Sequence, residues 1–598
     1  MKPAHRQTPE VHLPPNDTPP HWTPMLPLPC PDQEVDTLPC QQSMKPARTC
    51  RPASALVTAP ALALWLTFGA PALAQAPPSA GQLLEETRRT APPALPSQTP
   101  PRLIDAPVRP TVTMPEGTMV TVSEFRITGA TSYSSDVLAA LVRPWVGKRL
   151  DIRGLNEAAG ALTRHYQSGG HLLSYAYLPA QRVADGVIEL AVLEGKLEGV
   201  QIVTAQDVRL RDQVVQAHTD PLLAPGPVLQ SAVERQLLLL NDIPGVAARA
   251  AFTPGANTGG AEMVVSVAED EPLQLRADFS NHGSESTGEY RAGLTLHFRD
   301  LFGWGDSSTA RGVVSDKGSL VTGSLVTSVP LGGQGWRAGA SLSRLKYQLA
   351  GDFRRLGAVG TADTLGFDVN YALRRSANSN VSLRAAFDHK RLRDDLQLIG
   401  VSTAKRNDTG ELSGSFDWRD NAGGLSAGSL TFTAGQLRVA GQRRGEWSKL
   451  GAQGARQQPI SGPFSVYLRL AAQTTSGSLD SSEKLGLAGA GAVRAYAPGE
   501  VSVDHGVLAS LELRYALDFM GGNVVGSLFH DYGGGQINRA APGTPGNDPE
   551  LNGTGFGLSW AKGGLGLNAS IAWRGSRLPT TDTSDPRPRL FLQMWVAP

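Results

Sequence analysis

The sequence predicts a transmembrane β-barrel of about sixteen antiparallel strands, preceded by an N-terminal helix with a linker and by two small α+β modules. Three observations carry that expectation. From residue 272 to the end, runs of alternating apolar and polar residues follow one another, separated by Gly, Asp, Asn and Ser. Ahead of them two segments repeat one order of strands and helices. Ahead of both stands a leader of the bacterial export type.

Residues 1–43 show no periodicity and read as an upstream extension or a misplaced start. From Met44, the cations Lys45, Arg48 and Arg51 precede an apolar stretch over 53–70, and Ala72-Leu73-Ala74 supplies a small-x-small cleavage site. A signal peptide over 44–74 follows, with the mature chain beginning near Gln75. Cys30, Cys40 and Cys50 all precede that cut. The mature chain then holds no thiol, which excludes disulfide, Cys-zinc and Cys-nucleophile chemistry.

Residues 75–118 are rich in Pro, Ala, Ser and Thr and read as a linker carrying one short helix, SAGQLLEETRR at 79–89, with Leu83 and Leu84 as its apolar pair. The first module spans 119–197. In it VSEFRITGA is a strand, YSSDVLAALVRPWVG and LNEAAGALTRHYQSGG are helices, and LLSYAYLPAQ and GVIELAVLEGK are strands. The second spans 198–271 and repeats the order with LEGVQIV, DVRLRDQVVQAH, VLQSAVERQLLLLND, VAARAAF and AEMVVSVAED. Two helices laid on a three-stranded sheet make a compact unit whose open edge can take an extended peptide by strand addition.

The barrel occupies 272–598. In FDVNYALR one face is Phe367, Val369, Tyr371 and Leu373 and the other Asp368, Asn370, Ala372 and Arg374. In SLELRYALD, Leu511, Leu513, Tyr515 and Leu517 oppose Ser510, Glu512, Arg514 and Asp518. A soluble sandwich would hide its apolar side in a core, yet here the polar side carries arginines facing acids in strand after strand. Lipid outside and water inside account for both faces. At about 20 residues per strand and turn the segment yields on the order of sixteen strands, too few for the plugged twenty-two-stranded transporters.

The formal charge of +1, from 55 Lys+Arg against 54 Asp+Glu, gives no sign of a nucleic-acid surface. Enzyme signals fail on context: GLSAG at 424–428 matches a nucleophile elbow in letters, but SLTFTAGQL continues it as a strand where that motif needs a helix. His297 and His389 lie on barrel-strand patterns without neighbouring ligands and read as wall residues. No metal or cofactor site is expected.

Two stretches remain. GAVRAYAPGE at 491–500 carries one arginine, Arg494, among small residues between strand patterns that end near Gln473 and resume near Val507. Such a segment is long enough to fold back into the lumen. In GSLFHDYGGG at 526–535 the strand period puts Phe529, Asp531 and Gly533 on one face and Leu528 on the other. If Leu528 meets lipid, Asp531 faces the lumen, and Gly533 leaves room for an approaching backbone. Arg494 and Asp531 are then expected to form a two-pronged ion pair, worth about 1 kcal/mol in a wet lumen.

VRAY at 493–496 followed by Gly499-Glu500, together with FHDYG at 529–533, resembles the two signature motifs of the two-partner secretion translocators, the haemolysin secretion/activation family of the POTRA-plus-barrel superfamily. DFSNHGSESTGEYR at 278–291, FRDLFGWGD, LLLLNDIPGV at 237–246 and YLPAQRVADGVIEL extend the resemblance over nearly all the mature chain. It implies a plug helix, two POTRA domains and a sixteen-stranded barrel that exports one large exoprotein without ATP. Carried over, Val493, Arg494, Tyr496, Gly499 and Glu500 belong to an inward-folded loop, and Phe529, Asp531 and Gly533 to its partner strand. The plug candidate, 79–89, is shorter and less glutamine-rich than is usual, and the chain ends WVAP where family barrels often end in an aromatic residue. The implied location is the bacterial outer membrane with the POTRA domains in the periplasm. The implied partners are a secreted exoprotein of adhesin or haemolysin type with an N-terminal secretion domain, outer-membrane lipid, and the barrel-assembly machinery and periplasmic chaperones during biogenesis. The rival expectations are a barrel-assembly or insertion factor of the same superfamily, and a barrel hydrolase or solute porin.

Overall fold

The computed structural model describes residues 77–88, 95, 119–257, 259–442, 445–576 and 585–597. The leader at 44–74 and the extension at 1–43 lie outside the described residues. The first element is helix α1 (Ala80–Arg88).

The first module runs β1 (Val120–Thr121), β2 (Glu124–Thr128), α2 (Ser135–Val142), β3 (Arg149–Leu150), α3 (Ile152–Ser168), β4 (Tyr175–Tyr177) and β5 (Val187–Leu193). Asp151 caps α3 by accepting the Gly154 N–H at 2.9 Å, satisfying a donor that the first turn leaves unpaired. Its sheet has the order β2-β5-β4, with β2 parallel and β4 antiparallel to β5. Alternate residues of β5, Ile188, Leu190 and Val192, bury against Leu155, Leu162 and Tyr166 of α3. The run LLSYAYLPAQ, expected as a full strand, pairs only over Tyr175–Tyr177 because the backbone at His171 and Leu172 bonds instead to Leu229 and Val228 of the next module.

The second module repeats the order: β6 (Lys196–Thr204), α4 (Asp212–Thr219), α5 (Gln230–Asn241), β7 (Val246–Pro254) and β8 (Gly260–Glu269), with sheet order β6-β8-β7. Helix α4 starts five residues later than the sequence pattern suggests, because the Arg209 backbone N–H donates to the Glu269 carboxylate at 2.7 Å rather than entering a helix. The two modules are stitched together. Leu173 sits in the second module's core, and Gln230 N–H donates to Gly170 C=O at 2.7 Å.

The rest is one closed barrel of sixteen antiparallel strands. In chain order these are β9 (Leu273–Ser280), β10 (Arg291–Arg299), β11 (Ser307–Ser315), β12 (Leu320–Pro330), β13 (Trp336–Gln348), β14 (Ala358–Arg375), β15 (Ser379–Leu396), β16 (Val401–Arg419), β17 (Leu425–Val439), β18 (Gly445–Ser461) and β19 (Phe464–Thr475). After a short hairpin outside the wall order, β20 (Leu485–Gly486) with β21 (Ser502–Val503), the wall resumes. It continues with β22 (His505–Phe519), β23 (Gly522–Gln536), β24 (Glu550–Lys562), β25 (Leu565–Arg574) and β26 (Arg589–Val596), which closes on β9.

The period of two sets the two environments. Phe367, Leu373, Leu511, Leu513 and Leu528 are exposed on the outer wall. The opposite residues pair across the lumen face: Arg311 with Asp278 at 2.8 Å, Arg384 with Glu411 at 2.9 Å, Arg456 with Asp420 at 2.6 Å. GLSAG falls at the start of β17 and continues as strand, so its serine has no elbow around it.

Turns at the end where the modules enter are short; connections at the far end are longer. The second module docks on the near-end turns. Arg211 N–H donates to Gly303 C=O at 3.1 Å with its guanidinium 4.1 Å from the Trp304 ring, and Arg375 pairs with Asp242 at 2.7 Å. In the first of these turns Asp300 is fully buried. Desolvation raises its pKa to about 6, against the Gly305 N–H that it accepts, with the Glu269 and Asp306 charges adding to the rise.

Candidate functional site

The connection from β19 to β22 does not leave the barrel. It turns back into the lumen, where Leu487, Val493, Ala495 and Tyr496 form an apolar cluster with Leu508, Phe529 and Leu551 of the wall. Small residues make this possible. A Cβ on Gly553 would stand 2.6 Å from the Ala495 Cβ, and one on Gly533 3.1 Å from a Val493 methyl. The room expected at Gly533 is taken by Val493.

Arg494 lies at the centre. Its Nε donates to Asp531 Oδ2 and its Nη2 to Asp531 Oδ1, both at 2.8 Å, and its backbone N–H adds a third bond to Oδ2 at 3.1 Å. Nη2 also donates to Ser510 Oγ at 3.0 Å, Nη1 pairs with Glu512 at 2.9 Å, and the guanidinium carbon stands 3.4 Å from the centre of the Phe529 ring. Ser510 in turn donates to Asp531 at 2.7 Å. Asp531 has no exposed surface. The wet-lumen value of about 1 kcal/mol is therefore corrected: this pair is desolvated and multiply bonded, and removing one partner from such a pair costs about 3–5 kcal/mol. The planar fork of Arg meets the carboxylate edge-on while its face lies on an aromatic ring, a combination that lysine cannot reproduce.

Tyr496 is buried, its hydroxyl within 2.5 Å of Ser576 Oγ, and Arg574 lies over its ring at 4.5 Å while donating to Ala495 C=O at 2.9 Å. Glu500 is buried 3.6 Å from Arg574. At the loop's other end the buried Glu483 meets Lys390 at 2.5 Å and Lys449 at 3.0 Å, and Lys405 meets Asp480 at 2.7 Å. Sequence reasoning missed Glu512, Arg574, Lys390 and Glu483. Only Glu512 carried a signal, as a lumen-face residue of β22 one step from Ser510.

Helix α1 also sits in the lumen. Ala80, Leu83 and Leu84 pack on Leu345, Tyr347, Ala362 and Leu392 of the wall. Polar residues at the helix reach the loop and the wall: Gln82 Nε2 donates to Gly499 C=O at 2.5 Å, Ser79 bonds Ser481 at 2.8 Å, and Glu86 pairs with Arg291 of β10 at 2.7 Å. Gly499 has φ +78°, and a side chain there would press on Gln82. Helix and loop together leave a lumen cavity of about 1220 Å³. Among the described residues no cluster of His, Cys, Asp and Glu is arranged for a metal ion.

In the first module, Glu194 accepts from the Thr131 and Ser132 N–H groups at 2.7 Å and from the Tyr166 hydroxyl at 2.8 Å. Desolvation alone would raise its pKa, but these donors and the Thr131 hydroxyl outweigh it and hold it at about 2. That carboxylate pins the loop before α2 to the strand end.

Comparison with known proteins agrees with this architecture. Residues 259–560 match the family described as haemolysin secretion/activation protein ShlB/FhaC/HecB, and residues 120–195 match the ShlB-type POTRA domain. The heme/hemopexin transporter protein HuxB of Haemophilus influenzae strain Rd is 26% identical over 458 residues, covering 73% of this chain and 80% of that protein. The outer membrane transporter CdiB of Escherichia coli is 24% identical over 462 residues, covering 73% and 75%. The solved structure of Escherichia coli CdiB, 21% identical, superposes with a TM-score of 0.65 over 82% of this chain and 94% of that one, which establishes a shared fold. The chain thus belongs to the ShlB/FhaC/HecB haemolysin secretion/activation family, outer-membrane transporters of two-partner secretion with periplasmic POTRA domains rather than enzymes.

Proposed function

We propose that this protein captures one large exoprotein of adhesin or haemolysin type in the periplasm and passes it unfolded through its barrel, without ATP. The sheet edges of the two modules, at β2 and β4 and at β6 and β7, are the places where an extended secretion signal adds as a strand. No nucleotide is present outside the inner membrane, so folding of the cargo at the cell surface supplies the direction. In this reading helix α1 is the plug, the Arg494–Asp531 pair is the latch that holds the lumen loop, and the chain uses periplasmic chaperones and the barrel-assembly machinery to reach the membrane. The division into a leader at 44–74, a plug and linker at 75–118, modules at 119–197 and 198–271 and a barrel from 272 belongs to the same proposal. The names of the Haemophilus relatives, heme/hemopexin transporter proteins, support widening the cargo class to exoproteins of haem acquisition.

The observation that carries the proposal is the double occupancy of the lumen, by a tethered helix and by a loop it touches at Gly499 and Ser481. A passive pore has no use for a plug hydrogen-bonded to a latched loop. The test expresses the exoprotein of the neighbouring reading frame with wild type or with Arg494→Ala and measures it in the medium. Secretion is expected to fall with the barrel still inserted, and Arg494→Lys to restore it only in part. Normal secretion by an inserted Arg494→Ala protein removes the latch. Absence of any secretion by wild type removes the transport reading.

A further inference from the structure

Outside the lumen the wall carries one feature that export does not use. The upper limit of the apolar band on the β13–β14 arc is set by Leu342 and Leu365, which are cross-strand partners and both exposed. One outward row closer to the extracellular end, five residues stand abreast on five consecutive strands: Arg344, Asp363, Arg391, Arg406 and Arg438. Two residues of a tilted strand separate the rows, a rise of about 5 Å along the membrane normal. That is the level of lipid headgroups.

The charge in this row does not cancel. Asp363 pairs with Arg344 at 3.4 Å, and Asp408, one row below, reaches Arg438 at 4.0 Å and His389 at 2.5 Å. Arg391 donates to His389 Nε2 at 3.0 Å, and among the described residues Arg406 has no hydrogen bond or ion pair. Arg391, Arg406 and Arg438 are therefore directly opposed like charges in neighbouring strands, an arrangement that destabilises a sheet unless an anion lies across it. Together with Asp363 and with Arg393, which pairs with Asp395 at 3.0 Å, they line a cleft of about 500 Å³, within the range of small-ligand sites. On the β25–β26–β9 arc the outward positions nearest the same end are apolar: Trp573, Leu590 and Phe279. The cations mark one sector of the rim rather than a general property of it.

We propose that this arginine row binds the phosphate groups of an anionic glycolipid headgroup of the outer leaflet, with the acyl chains lying on Leu342, Leu365 and the apolar wall below. Guanidinium groups at strand spacing present paired donors to phosphate oxygens, and Arg391, Arg406 and Arg438 lie in register on the outward faces of neighbouring strands. The site concerns lipid, not cargo, and depends only on the orientation of the barrel.

The experiment uses the full mature protein, delipidated in detergent, and measures bound lipid by native mass spectrometry and by the shift of the thermal transition on adding bisphosphorylated lipid A. Wild type is expected to retain that lipid about tenfold or more tightly than the Arg391→Gln/Arg406→Gln/Arg438→Gln variant. Dephosphorylated lipid A is expected to shift the wild-type transition far less, an arm that needs no variant. Arg406→Gln alone, with barrel closure checked by gel heat-modifiability, covers failure of the triple variant to fold. Equal retention by wild type and variants overturns the proposal, as does an equal effect of dephosphorylated lipid. A shift of the same size with inorganic phosphate alone overturns the assignment to lipid.

Discussion

Loop 476–504 and helix α1 occupy the same lumen, yet they are held by different physics. The loop is covalently tied to the wall at both ends, and beside its apolar cluster it is held by buried charges: Arg494 with Asp531 and Glu512 in the middle, Glu483 between Lys390 and Lys449 at the base. The helix rests on Ala80, Leu83 and Leu84, on hydrogen bonds to the loop, and on one ion pair, Glu86 with Arg291. Separating a buried charge from its partner costs several kcal/mol; the loop would give up several such pairs, the nine-residue helix one pair and a small apolar face. In the proposed function, this difference makes the helix the part of the lumen to be emptied and the loop the part to be re-aimed.

The sharpest way to break this comparison is Asp531→Ala. It leaves the Arg494 guanidinium with Glu512 as its remaining carboxylate partner, and a loss of up to about 3–5 kcal/mol of loop stability is expected. Cysteine labelling at positions 488–492 should then report a loop exposed from either side of the membrane, against a protected wild type. Next, Leu83→Asp/Leu84→Asp should expel the helix. Conductance in planar bilayers is expected to rise severalfold while the melting transition of the barrel stays where it was; an unchanged conductance would mean that α1 does not obstruct the pore. Gly553→Val probes packing alone, because its side chain drives into Ala495. A strain of about 1–3 kcal/mol is expected, with secretion reduced less than in Asp531→Ala. The smallest effect belongs to Gln82→Ala, which deletes one bond to Gly499. A change of about 0.5–1.5 kcal/mol in helix docking is expected, visible as more frequent open events in single-channel records.

Much of this site is legible in the sequence. The alternation through FDVNYALR and SLELRYALD assigned the two faces of the wall, and the period of two put Phe529 and Asp531 on the side away from Leu528. An arginine isolated among small residues in a long connection asked for an anion. The rest was not readable, because it depends on which strands become neighbours. Ser510 and Glu512 meet Arg494 since β22 pairs with β23 in a register that puts Ser510 opposite Asp531. Arg574 and Ser576 reach Tyr496 from a strand eighty residues away. The dryness of the pair was misjudged for the same reason: a lumen looks wet from sequence until the loop that fills it is placed.

The sequence by itself determined that the chain has two repeated α+β modules and a wall with an apolar and a charged face, because strand and helix periodicities are local and survive without knowledge of partners. Tertiary structure alone decided where the charges go. Closing sixteen strands in one register set Arg391 beside Arg406 on the outside and Asp531 beside Ser510 on the inside. Electrostatic energy depends on distance and on exclusion of water, and neither exists until the barrel has closed and the loop has folded into it.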